Sequence, residues 1–137
     1  MLVTIALLTI QTGTARPATY SDYKALKKHL VSLAKQEPDL VRVDSIAQSI
    51  DKRKVWIAEV GNGAEDDRKI RPAILVVAGI EGNDLTGSSI AVSWLDQLIK
   101  QYRADAKIAE LLETITIYII PRLNQDAAEY FFIEPNT

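Results

Sequence analysis

An apolar run from Ala73 to Ala78, bracketed by Pro72 and Gly79, leads through a glycine-rich loop straight into a helical pattern. A continuous apolar stretch of this length between Pro and Gly predicts a strand buried on both faces. Strands of that kind belong to α/β sheets, and in open α/β sheets ligands bind beyond the carboxyl ends of the strands. The loop that follows, Gly79 to Gly87, holds two carboxylates, Glu81 and Asp84. It is therefore the first place to expect a site.

The remaining pattern fits the same class. Thr19 to Gln36 reads as an amphipathic helix, with Thr19 as cap and Asp22 three residues on, as in a capping box. Tyr23, Leu26, Leu30 and Leu33 share one face at helical spacing, and Pro38 marks the stop. Leu40 to Ile50 and Lys54 to Val60 alternate as strands, and the short polar link Asp51-Lys52-Arg53 predicts a hairpin. Gly61 to Arg71 reads as a charged loop. A helix is expected from Thr86 to Tyr102, with Ile90, Ala91, Trp94, Leu95, Leu98, Ile99 and Tyr102 as a broad apolar stripe. Ala104 to Glu113 adds a short helix, and Ile115 to Ile120 a strand that Pro121 ends. Strand, helix and strand in that order imply a right-handed crossover. Asn124 to Thr137 carries no clear pattern. The expected fold is α/β: a mixed sheet, an antiparallel hairpin followed by parallel strands, with helices on both faces.

A chain of 137 residues suffices for one domain. With 47% hydrophobic and 25% charged residues and a net charge of −2, it is neither disordered nor a basic nucleic-acid binder. No nucleic-acid partner is expected. The absence of cysteine excludes disulfides, thiolate zinc sites and cysteine nucleophiles. Leu2 to Ile10 is apolar but shorter than the roughly 20 residues a bilayer span needs. Gly13-Thr14-Ala15 then offers a small-x-small cleavage site, although Lys and Arg are missing from the first residues. Residues 1–15 are read as a signal peptide, which implies a secreted or periplasmic protein, and 16–137 as the domain. The alternative is an N-terminal strand or buried helical turn.

Several chemistries fail on the residues. Phosphate binding has the right strand–loop–helix context, but no Walker lysine is present and two carboxylates oppose an anion. No G-x-S-x-G occurs, so a serine hydrolase is set aside. His29, the sole histidine, is read as a half-buried or surface helix residue. Glu81 and Asp84 have a purely structural reading, as acids favoured near a helix N-terminus, with Asp84 or Thr86 as cap. Arg122, Asn124 and Asp126, just past the last strand, line a cleft or form a turn.

Four segments together resemble one family. TYSDYKALKKHLVSLA (19–34) resembles the helix that opens zinc metallocarboxypeptidase domains of the carboxypeptidase A type. DSIAQSIDKRKVWIAEV (44–60) is similar to that family's S-I-G-x-S-x-x-G-R-x-I hairpin, with Arg53 at the arginine. AGIEGNDLTG (78–87) resembles its metal loop, G-x-H-G-N-E or G-x-H-x-R-E. IYIIPRLNQDAAE (117–129) is similar to its strand ending in P-x-x-N-P-D-G. Order and spacing agree over most of the chain after Arg16, so residues 16–137 resemble the amino-terminal part of such a domain.

The departures bear on chemistry. The resemblance places Glu81 at the first zinc ligand, usually histidine, and Asp84 at the second, usually glutamate. Asn83 fits the intervening arginine or asparagine, and the resemblance implies a substrate-binding role for it. Gln125, Ala127 and Ala47 replace a proline and two glycines. The family's third ligand, general-base glutamate and carboxylate-binding arginines belong to a carboxyl half that this sequence does not show. A catalytic zinc needs three protein ligands and an open position for water. Two carboxylates suit Mg²⁺, Ca²⁺ or Mn²⁺ better than zinc. The resemblance implies zinc and hydrolysis of C-terminal residues from peptides. The substitutions imply no metal or a weak divalent site, and a chain inactive alone. The alternative is a non-catalytic module binding a peptide or a second chain, or self-associating, through an exposed sheet edge.

Overall fold

The computed structural model describes residues 20–133. The expected signal peptide and the Thr19 cap lie outside these residues. The chain order is α1 (Tyr23–Gln36), β1 (Val41–Gln48), β2 (Lys54–Val60), α2 (Glu65–Ile70), β3 (Ala73–Val77), α3 (Leu85–Tyr102), α4 (Ala106–Thr114), β4 (Thr116–Ile120) and α5 (Gln125–Ile133). The sheet runs β1-β2-β4-β3. β1, β2 and β4 pair antiparallel, and β3 joins β4 in parallel. The expected mixed α/β sheet is what forms.

Local chemistry explains the hairpin. Lys52 adopts φ 63° at the tip, and the Ser49 amide donates to the Arg53 carbonyl at 2.8 Å. The register slips between Ser45 and Ala47, a bulge in β1. Side chains alternate across the sheet. Trp56, Ala58 and Val60 of β2, with Ile117 and Ile119 of β4, enter one core with Leu26 and Leu30 of α1, Leu95 and Leu98 of α3, and Leu112 of α4. On the opposite face Glu59 accepts a bond from buried Arg68 of α2.

Four expectations need correction. Asp22 caps α1: its Oδ1 accepts the Ala25 amide at 2.7 Å, so the helix starts at Tyr23 and not at the expected Thr19 boundary. The charged loop after Gly61 contains α2, whose acids Glu65, Asp66 and Asp67 lie in the first turn and bases Arg68 and Lys69 in the last, as the helix dipole favours. The patternless tail contains α5, started where Asn124 Oδ1 accepts the Ala127 amide. Most importantly, β3 is not buried on both faces. It is an edge strand, with Ile74 49% and Leu75 60% exposed.

Candidate functional site

Beyond the sheet, the segments leaving β3 and β4 stay zipped together. The Ala78 amide donates to the Ile120 carbonyl, the Leu123 amide to Ala78, and the Asn124 amide to Gly79, each at 2.9 Å. Gly79 takes φ +57°, and a Cβ there would lie 3.0 Å from the Arg122 Cα, so this position requires glycine. Gly82 is tighter still: a Cβ would fall 2.1 Å from the Ala127 Cβ. The loop is thus pressed onto the start of α5.

On that support sit the residues singled out from the sequence. Glu81, Asn83 and Asp84 are all exposed. The Asp84 amide donates to the Glu81 carbonyl at 3.0 Å, and Asp84 Oδ1 accepts the Gly87 amide at 2.8 Å. Asp84 is the cap of α3, as its sequence position allows, and one of its carboxylate oxygens is already engaged there. His29 is not gathered with them. Its Nε2 meets Asp96 Oδ1 at 2.8 Å, joining α1 to α3. Among the described residues no group of three or more His, Cys, Asp or Glu side chains assembles. A donor set of two carboxylates, one of them tied to a helix cap, does not fit a catalytic zinc.

A second acidic centre is built differently. Asp126, in the first turn of α5, accepts from Ser49 Oγ at 2.7 Å, Arg53 Nη1 at 2.7 Å and the Asp51 amide at 3.1 Å. Arg53 also reaches Asp51 Oδ2 at 2.8 Å. Burial works against the charge on Asp126, but the bonds from Ser49, Arg53 and the Asp51 amide together outweigh it and hold the carboxyl below its ordinary value. The hydrogen bonds to Asp126 and Asp51 in turn raise the Arg53 guanidinium. Arg53 supports the hairpin turn and clasps it to α5. Asp126 is the residue whose role the sequence did not decide; its place beside Arg53 was hidden by a sequence separation of 73.

The pattern that defines zinc carboxypeptidases matches residues 26–135. The chain belongs to the zinc carboxypeptidase family. Carboxypeptidase D of Anas platyrhynchos is 30% identical over 123 residues, which are 90% of this chain and 9% of that protein. Carboxypeptidase M of Mus musculus is 27% identical over 110 residues, 80% of this chain and 25% of that protein. Among solved structures, carboxypeptidase A from Helicoverpa armigera superposes with a TM-score of 0.68 at 18% identity, over 83% of this chain and 27% of that one. Thrombin-activatable fibrinolysis inhibitor superposes with a TM-score of 0.74 at 17% identity, over 84% and 28%. The chain therefore spans well under half the length of the relatives it matches. In this light Arg53 and Asp126, which lie in two separate family-like motifs, meet in space and hold those motifs together. Glu81 and Asp84 lie on an exposed turn.

Proposed function

We propose that this polypeptide carries a zinc carboxypeptidase scaffold without unaided peptidase activity. The observation that supports this reading is the loop itself: Asp84 is occupied as the cap of α3, and the motif resemblance puts Glu81 in the place of the family's imidazole. Activating water on zinc requires the metal to be held by three ligands, so that the water's pKa falls to about 7. The two carboxylates suit weak binding of an oxygen-preferring divalent ion at most. Asn83 keeps a substrate-binding position with no reacting centre beside it. The test is release of C-terminal amino acids from a mixed peptide pool. No release above buffer is expected, and release abolished by a chelator overturns the proposal.

A second reading rests on β3. Its outer edge is free of a sheet partner among the described residues, and Ile74 and Leu75 are exposed. Apolar edges recruit further strands. On this reading the chain is an interaction module whose β3 pairs with a complementing polypeptide or a second copy. Light scattering should show a mass above the monomer that Leu75→Lys lowers. A monodisperse monomer excludes self-pairing. The reading of residues 1–15 as an export signal belongs to the same proposal, and the mature N-terminus found by mass spectrometry after expression tests it. No described helix is long and apolar enough to cross a membrane.

A further inference from the structure

A cavity of about 240 Å³ lies between the start of α1 and the first turns of α3, walled by Ser21, Leu26, Ser88, Ser89, Val92, Ser93 and Arg122. Arg122 is 1% exposed. Its Nε donates to Ser88 Oγ at 3.3 Å and its Nη2 to the Ser21 carbonyl at 2.7 Å, while Nη1, shielded from solvent, has no partner among the described residues. An arginine stays charged in a protein, and a buried guanidinium without a bonded counter-ion is costly. Two carboxylates act on Arg122 from nearby, Glu129 and Asp22, but neither bonds to it. Glu129 Oε2 accepts the Tyr23 amide at 2.9 Å, and Asp22 Oδ1 accepts the Ala25 amide. Among the described residues no carboxylate lines the cavity itself. The Ser89 hydroxyl turns back to the Leu85 carbonyl, and Ser21 and Ser93, which carry further hydroxyl donors, also line the cavity.

We propose that this cavity binds a small tetrahedral oxyanion, a phosphate or sulfate group, with Arg122 as its cation and serine hydroxyls as its remaining donors. A guanidinium from the turn after β4, with serines before α1 and along α3, suits such a group, and the volume leaves room for a small organic substituent or water beside it. The site is separate from the Glu81–Asp84 loop and does not depend on the chain being a peptidase or not. Because Arg122 also packs under Gly79, filling the cavity stiffens the base of that loop.

The experiment is thermal unfolding of the whole chain at pH 7.5 with inorganic phosphate, sulfate or glycerol phosphate, each against sodium chloride of equal ionic strength. A saturable rise in Tm is expected, on the order of 10 °C at a hundredfold excess over Kd. A larger response to glycerol phosphate assigns the site to a phosphorylated metabolite, and an equal response assigns it to the free ion. Arg122→Gln should abolish the shift. Because that variant removes a buried, packed side chain, Ser21→Ala with Ser93→Ala gives a milder test and should weaken binding at least about tenfold. A rise no greater than that in chloride overturns the proposal, as does unchanged affinity in the serine double variant.

Discussion

The clasp at Asp126 and the loop at Glu81–Asp84 sit at the same end of the sheet, yet their chemistry is opposite. Asp126 accepts three hydrogen bonds from Ser49, Arg53 and Asp51 and is largely buried by them. Glu81 and Asp84 are exposed, and the one side-chain bond that Asp84 makes, to the Gly87 amide, serves its own helix. The difference separates two kinds of constraint. Groups that hold the hairpin to α5 keep their partners, because losing one leaves the others unpaired in a partly buried site. Carboxylates on an exposed turn have no such dependents, and substituting them leaves the fold intact.

If that contrast is right, substitutions at the two places should differ in kind. Asp126→Ala is expected to cost about 2–3 kcal/mol, since it removes charge-assisted bonds to three donors at once, and urea unfolding measures it. A loss no larger than that of Glu81→Ala breaks the comparison. Acidification probes the same clasp. The folded-state pKa of Asp126 lies below its unfolded value of about 3.9. Its contribution is therefore complete above that value and lost as pH falls through the depressed folded value. The stability gap between the wild type and Asp126→Asn should be constant from neutrality to about pH 5 and then close. Asp84→Ala should cost about 1 kcal/mol through loss of the α3 cap. Glu81→Ala should stay within about 0.5 kcal/mol. A Glu81→Ala effect above that would reveal a partner for this carboxylate and sharpen the contrast differently.

The sequence carried the fold further than the site. β2 starts and ends where alternation places it, and α3 begins one residue before the expected Thr86, because Asp84 rather than Thr86 caps it. Hairpin and crossover follow from the turn residues and the apolar runs. α2 and α5 were not legible, since one is a single charged turn and a half and the other buries only Gln125 and Ala128. The run Ala73 to Ala78 reads as doubly buried because apolarity records the neighbours a strand is suited to, whereas the four-stranded sheet leaves β3 at its edge. The Asp84 cap was visible from its position before the helix. The burial of Arg122 was not, because nothing in a P-R-L-N turn tells whether the guanidinium faces water or the crevice between α1 and α3.

The central claim is that the scaffold is retained while the means of holding catalytic zinc is not. Its most direct test is zinc content after exhaustive chelation, re-equilibration with micromolar zinc and dialysis, for the wild type beside the Glu81→Ala, Asp84→Ala double variant. The account predicts equal, substoichiometric zinc in both proteins. One tightly held zinc per wild-type chain, lost in the double variant, would contradict it.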